Sequence, residues 1–325
     1  MARKFNLFNL FNPSKDGRGV SKEEANAPRN FPYFFKMFFR NIGNLFYINL
    51  FMVLGNFPIF FSMIGAAGYF NKHGTAPASQ LYGPFYGALT HQTAGGSPVT
   101  AALFGVHGIS ASVSIETPVT YVFYALTALL IFTFGFVNVG TTYQLRNIVK
   151  GEPAFLWSDF WHAIKRNKKQ GFLMGILDVA LLVLLVYDIL FFYYNIGAFL
   201  NNVLFYLSLV IAVVYLIMRF YLYIILVTFD LPLRKILKNA LIFSIIGFKR
   251  NLAAVVGIAA VLFFNYALFL AFLPLGILLP FIITISACSF IAAYAAFPKI
   301  KELMIDPYYT EEETVKEEPI FHDRG

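Results

Sequence analysis

Cysteine, charge and catalytic signatures are all scarce in this chain. Cys288 is the only cysteine in 325 residues and sits in an apolar run. That excludes a disulfide framework and a thiolate metal cluster, and leaves a small buried hydrophobe. Charged residues make up 13% of the sequence, about half of the ~25% usual in a soluble domain. There is no nucleophile elbow, no HExxH, no phosphate-cradling glycine loop and no His/Asp cluster at metal spacing. Neither an enzyme, a cofactor nor a metal site is expected. His73, His91 and His107 fall in one loop but far apart, and read as exposed loop histidines. The first forty residues alternate short aromatic patches with charges and carry no apolar h-region, so no cleavable signal is expected.

Apolar and aromatic side chains are abundant instead: 58% of residues are hydrophobic, with 39 Phe and 19 Tyr. Hiding that surface from water would take a much longer chain, and lipid is the simpler solvent. The aromatics suit helix ends at the headgroup level. Six apolar stretches, residues 45–69, 118–139, 171–194, 203–228, 252–273 and 275–297, are long enough, or nearly so, to cross ~30 Å of hydrocarbon at ~1.5 Å per residue. The last two meet at Leu273-Pro274-Leu275-Gly276, where proline would end one helix and glycine relax the backbone. Asn195-Ile196-Gly197 makes a similarly short turn between the third and fourth stretches.

The basic residues then orient the spans. Eight lie before the first span, from Arg3 to Arg40. Arg146, Lys150, Lys165, Arg166, Lys168 and Lys169 follow the second. Arg234, Lys235, Lys238, Lys249 and Arg250 follow the fourth, and Lys299, Lys301, Lys316 and Arg324 the sixth. The opposite side carries only Lys72. The positive-inside asymmetry gives an all-α polytopic protein of the cell membrane with six transmembrane helices and both termini cytoplasmic. The net charge of +8 thereby points to the anionic lipid bilayer as partner, and not to nucleic acid.

The expected organisation is a cytosolic segment 1–44, a transmembrane domain 45–298 and an acidic cytosolic tail 299–325. Within 31–44, Phe34, Met37, Phe38 and Ile42 recur at helical spacing around Lys36 and Arg40, as in an interfacial helix. An external loop, 71–117, is rich in small residues, and its apolar piece 99–106 suits a short interfacial helix. The tail holds eight of the seventeen carboxylates, which fits a solvated, partly disordered segment. Cytosolic loops 143–170 and 229–251 each carry an amphipathic helix and form a weak internal repeat. Glu152-Pro153 is followed by an amphipathic segment and Arg166-Asn167-Lys168-Lys169. Asp230-Leu231-Pro232 is followed by another and Lys249-Arg250-Asn251. Each unit reads as span, cytosolic helix, basic turn, span, a pattern that fits transporter-associated folds.

In the first loop helix, Ser158 or Asp159 is placed to cap, Phe160, Trp161 and Ile164 form an apolar face, and the cations collect toward the end. Two readings stand beside each other: a membrane-hugging helix with a basic edge, or a docking surface exposing two tryptophans. In the second, Asp230 is placed as N-cap with Pro232 in the first turn. Leu233, Ile236, Leu237, Ala240 and Leu241 form its apolar stripe, opposite Arg234, Lys235 and Lys238. The candidate docking residues are Trp157, Asp159, Phe160, Trp161, Lys165, Asn167, Asp230, Pro232, Lys238 and Asn239.

Inside the spans the ionisable residues are Asp178, Asp188 and Arg219. Asp178 in the third span and Arg219 in the fourth both lie roughly 10–15 Å from the cytosolic face. Antiparallel neighbours would bring them to one depth, so an intramembrane ion pair is expected, as a structural clasp and not a relay. Asp188, beside Tyr187 and Tyr193, would be solvated or bonded to tyrosine.

Residues 140–178, GTTYQLRNIVKGEPAFLWSDFWHAIKRNKKQGFLMGILD, together with 228–252, TFDLPLRKILKNALIFSIIGFKRNL, resemble the YesL-like membrane proteins of Firmicutes, a domain-of-unknown-function family. Residues 49–60, NLFMVLGNFPIF, resemble that family's first span. The stretches cover about half the chain in the family's order. The chain departs from the pattern in its long external insertion and its acidic tail. The resemblance implies an accessory membrane component of a carbohydrate (oligosaccharide) ABC import system that contacts permease or ATPase subunits. It implies no catalytic residue. The chain has no EAA-like loop of the kind permeases offer their ATPases, so a permease subunit proper is not expected. The alternative is a stand-alone small-solute transporter or channel, alone or as a homo-oligomer, which would need a continuous polar path.

Overall fold

Backbone amides find no partner in hydrocarbon, so an apolar stretch of this kind must satisfy them within itself, and it folds as helix. The computed structural model describes residues 29–77, 110–197 and 199–307. The expected interfacial helix at 99–106, and most of the N-terminal segment and the acidic tail, lie outside the described residues. The chain divides into two compact units, Phe57–Leu130 on one hand and Met1–Asn56 with Ile131–Gly325 on the other.

Five helical stretches are long and apolar enough to cross a membrane: Pro118–Lys150, Lys168–Tyr194, Phe199–Thr228, Phe248–Ala271 and Leu273–Ile305. A sixth is added if the bent pair Phe31–Arg40 and Ile42–Gly55 is one span. The protein is thus a helical, multi-pass membrane protein. Phe263, Phe264 and Leu270, like Val183, Leu184 and Leu190, are exposed along their helices, a surface that lipid tolerates and water does not.

The larger unit begins with α1 (Phe31–Arg40) and α2 (Ile42–Gly55), bent by 75° at Asn41. It continues with α5 (Leu130–Lys150), α6 (Leu156–Arg166), α7 (Lys168–Tyr194), α8 (Phe199–Thr228), α9 (Leu233–Ile246), α10 (Phe248–Ala271), α11 (Leu273–Leu279) and α12 (Ile285–Ile300). A π-helical turn, Pro280–Thr284, joins the last two. The core draws on the later halves of α5 and α8 and on α12: Leu145, Ile148 and Val149; Leu222, Ile224 and Leu226; Phe290, Ala296 and Ile300. Met37 and Ile48 complete it.

Glycine lets two helices touch. A Cβ on Gly135 of α5 would collide with the Gly171 carbonyl and come within 2.8 Å of the Gly175 Cα. Gly171 and Gly175 stand one turn apart on α7, the small-xxx-small spacing that brings membrane helices to backbone contact. Gly151, at φ 84°, ends α5, and Glu152 N–H returns to the Asn147 carbonyl at 2.9 Å in a Schellman closure.

The smaller unit holds α3 (Ile59–Ala66), α4 (Pro118–Thr127) and an antiparallel ribbon of β1 (Lys72–Pro77) and β2 (Ser110–Ile115), with Lys72 opposite Ile115. Phe70 stacks on Phe123 at 5.0 Å, and Thr120 donates to Asn71 Oδ1 at 2.8 Å. The ribbon adds strand where the sequence suggested only loop.

Two further expectations are corrected. The 45–69 stretch is not one helix: α2 ends at Gly55 and α3 starts after Pro58, leaving 14 and 8 residues, each short of the ~20 that a span needs. Gly276 does not relax a turn, since the break falls at Phe272 (φ −149°) and Gly276 is helical. A Cβ there would strike the Phe269 backbone, so close approach is the reason for glycine.

Candidate functional site

Spacing on α8 builds the buried centre of the larger unit. Tyr215, Arg219 and Tyr223 recur every four residues and so share a helical face. All three converge on Asp178 of α7, which is fully buried. Tyr215 donates to Oδ1 at 2.7 Å and Tyr223 to Oδ2 at 2.8 Å. Arg219 Nε lies 2.9 Å from Oδ1 and donates to Oδ2 at 3.2 Å. Its guanidinium sits over the Phe134 ring, and the side chain remains 25% exposed. A carboxylate so surrounded is neutralised and hydrogen-bonded on both oxygens, the condition under which a buried charge persists. Chemically the cluster is a closed clasp. The two tyrosines were missed from sequence, although their four-residue spacing about Arg219 is a readable signal. Asp188 is half-buried, and among the described residues no tyrosine bonds to it; Tyr187 instead stacks on Phe191.

The amphipathic helices α6 and α9 hold the remaining sequence-derived candidates. Phe160 is buried, stacked on Phe51 at 4.8 Å and seated on Gly140, where a Cβ would meet its ring. Trp157 is 66% and Trp161 42% exposed, packed edge-to-face at 5.8 Å. The buried stripe of α6 is therefore Phe160 with Ala163, while Trp161 faces outward. Asp159 does not stand at the N-cap. Phe155 does, and Asp159 reaches back from the first turn to accept from Phe155 N–H at 2.9 Å and from Asn147 at 3.5 Å. Lys165 is exposed. Asn167 is the elbow between α6 and α7 and donates to the Ala163 carbonyl at 3.0 Å.

On α9, Pro232 is the N-cap residue in extended geometry and Asp230 lies outside the helix, exposed. Proline forces its predecessor Leu231 out of the helical region, so the helix cannot begin at Asp230. The buried stripe is Ile236, Ala240, Phe243 and Ser244; Leu241 is exposed, as is Lys238, and Asn239 is half-buried. The structure gathers Trp157, Asp159, Phe160 and Trp161 on α6, and brings Asn167 and Asp230 to one cavity wall. Pro232 opens α9 and Lys238 and Asn239 lie along it, and none of the three lines that cavity.

Three arginines escaped notice because a charge tally assigns them to loops. Arg146 is buried, donates to the Val227 carbonyl at 3.0 Å and to Asn147 Oδ1 at 2.9 Å, and covers Tyr143 at 4.4 Å. Arg29 donates to the carbonyls of Val149 and Lys150 at 3.0 and 3.1 Å. Arg250 donates to those of Tyr294 and Ala295, both at 3.2 Å. Thus the ends of α5 and α8 each receive a cation on carbonyls of the last turn, where the helix dipole also favours it. Helix α12 receives one at Tyr294, whose usual donor position is Pro298. A signal existed. Arg-Asn occurs at 29–30, 40–41, 146–147, 166–167 and 250–251, and the structure puts most of these pairs at helix ends or elbows. Asn251 accepts from Tyr221 at 2.7 Å and donates to the Ser244 carbonyl at 2.9 Å, closing the α9–α10 elbow as Asn167 closes α6–α7. The elbow recurs a third time at Asn41, which donates to the Met37 carbonyl at 2.9 Å.

Among the described residues no three His, Cys, Asp or Glu side chains are grouped to hold a metal. In comparison with known proteins, the chain matches no family model, no curated protein and no solved structure.

Proposed function

We propose that this chain is a six-span membrane protein with both termini in the cytosol, acting without catalysis as an accessory component of a carbohydrate ABC importer through protein–protein contact. The observation that carries the interaction reading is the aromatic edge of α6. Trp157 and Trp161 stand exposed beside Lys165 while Phe160 anchors the helix underneath, and exposed aromatics of this kind are where association energy concentrates. The orientation rests on the basic residues of 143–170 and 229–251 against the single Lys72 opposite. The importer as partner rests on the resemblance of residues 140–178 and 228–252 to YesL-like proteins.

Affinity purification in mild detergent tests the reading. Permease, ATPase or solute-binding subunits should co-purify with the wild-type chain, and much less with Trp157→Ala/Trp161→Ala. Recovery of none of them, under conditions that keep the importer assembled, sinks it.

A second reading, a stand-alone small-solute transporter or channel, is favoured by one feature: Arg219 keeps a partly exposed guanidinium inside an apolar helix, as residues on solute pathways do. Liposomes containing the purified protein that move neither sugar nor ion would remove it.

A further inference from the structure

Beyond the clasp and the aromatic edge, the larger unit has a cavity of about 340 Å³ between the start of α7 and the end of α8. Arg166, Lys168, Lys169 and Asp230 line it together with the apolar Leu226, Val227 and Phe229. Both helices pass at this point from apolar span to polar segment, so the cavity lies at the depth of lipid headgroups.

The charges are unbalanced and unspent. Three cations face one carboxylate, and among the described residues none of the four makes an ion pair. Arg219 and Lys299, by contrast, are each held by a carboxylate within 4 Å. Lys235 and Lys238 are as exposed as these cations but do not line this cavity, and simple solvation of positive-inside residues explains them. It does not explain three cations that line one cavity together with apolar residues. Basic recesses between membrane helices are where anionic headgroups lodge, and this volume is at the small end of ligand pockets, ~300–1,000 Å³, enough for a headgroup without its acyl chains.

We propose that the cavity binds the phosphodiester headgroup of an anionic phospholipid of the phosphatidylglycerol class. Arg166, Lys168 and Lys169 take the phosphate oxygens, Asp230 accepts from a headgroup hydroxyl, and the glycerol backbone meets Leu226 and Phe229. The carboxylate selects a hydroxylated headgroup over a bare phosphate monoester.

Native mass spectrometry of the full chain, released from nanodiscs of mixed phosphatidylglycerol and phosphatidylcholine, tests this. Wild-type protein should retain phosphatidylglycerol, and Lys168→Gln/Lys169→Gln should retain it about tenfold less, each cation near an anionic lipid contributing severalfold. Lys235→Gln/Lys238→Gln, with the same loss of charge, should retain it like wild type. Equal losses in the two double variants would mean diffuse electrostatics and overturn the site, as would equal retention of phosphatidylcholine. Lipid that survives excess soluble glycerol phosphate supports a membrane source. Displacement would assign the cavity to a soluble phosphate ester and overturn the lipid. Should the lysine variant not fold, wild type alone decides: phosphatidylglycerol should raise its unfolding temperature more than phosphatidylcholine does, and no difference overturns the proposal.

Discussion

Asn49 and Pro280, 231 residues apart in sequence, are joined by a hydrogen bond of 2.9 Å from the Asn49 side-chain nitrogen to the Pro280 carbonyl. The same amide accepts from the Ser286 N–H at 2.9 Å. Between them lies the π-helical turn Pro280–Thr284, where i→i+5 bonding interrupts the regular α-helical ladder. One fully buried asparagine on α2 thus brackets the turn from both ends.

Asn49→Leu keeps the volume and removes both bonds. With two buried hydrogen bonds lost, the destabilisation should be on the order of 1–3 kcal/mol. Cys288 is the only cysteine, so a thiol-reactive dye reports unfolding directly. An unchanged melting temperature would mean that the turn satisfies itself.

The clasp makes an asymmetric prediction. Arg219→Leu leaves Asp178 charged, buried and held only by Tyr215 and Tyr223, which should lower stability by roughly 3–5 kcal/mol. Asp178→Asn with Arg219→Leu removes the stranded charge, so the double variant should melt higher than Arg219→Leu alone. A double variant no more stable than that single one would show that the two are uncoupled.

What was legible and what was not follows from the range of each interaction. Spans are legible because lipid imposes length and hydropathy on contiguous residues. Asp178 and Arg219 are legible because they are the opposite charges at matching depth in neighbouring spans. Asn49 is not, since its meaning depends on a helical defect more than two hundred residues away. Arg29, Arg146 and Arg250 look like loop charges until the carbonyls they cap are seen. Asp230 was misread as a cap because proline two residues on delays the helix, and Leu241 as core because α9 turns Phe243 and Ser244 inward instead.

The contact of α5 with α7 leaves no room for a methyl group. Gly135→Ala or Gly175→Ala sets a Cβ against backbone that cannot rotate away, and overpacking of this kind costs about 1–3 kcal/mol. Gly257→Ala is the control. Its added carbon would meet Ile291 side-chain atoms at 3.4 and 3.7 Å, ordinary packing distance. Melting curves of the three variants should separate the first two from the third, and loss of the order would mean that the helices can slide apart.

Arg250 and Pro298 make a sharper case, because one residue compensates for what the other lacks. Proline has no N–H, so Pro298 cannot donate to the Tyr294 carbonyl four residues earlier. Arg250 donates there at 3.2 Å instead, and again to Ala295. Arg250→Leu should therefore destabilise by about 1–3 kcal/mol through an orphaned carbonyl. Pro298→Ala restores the missing donor, so in that background the same Arg250→Leu change should cost measurably less. The comparison separates carbonyl capping from the general attraction of a cation to a helix end. That attraction, like the Arg250 bond to the Arg29 carbonyl at 3.3 Å, acts with or without proline, and additive losses in the four-variant cycle would mean that capping of Tyr294 contributes nothing.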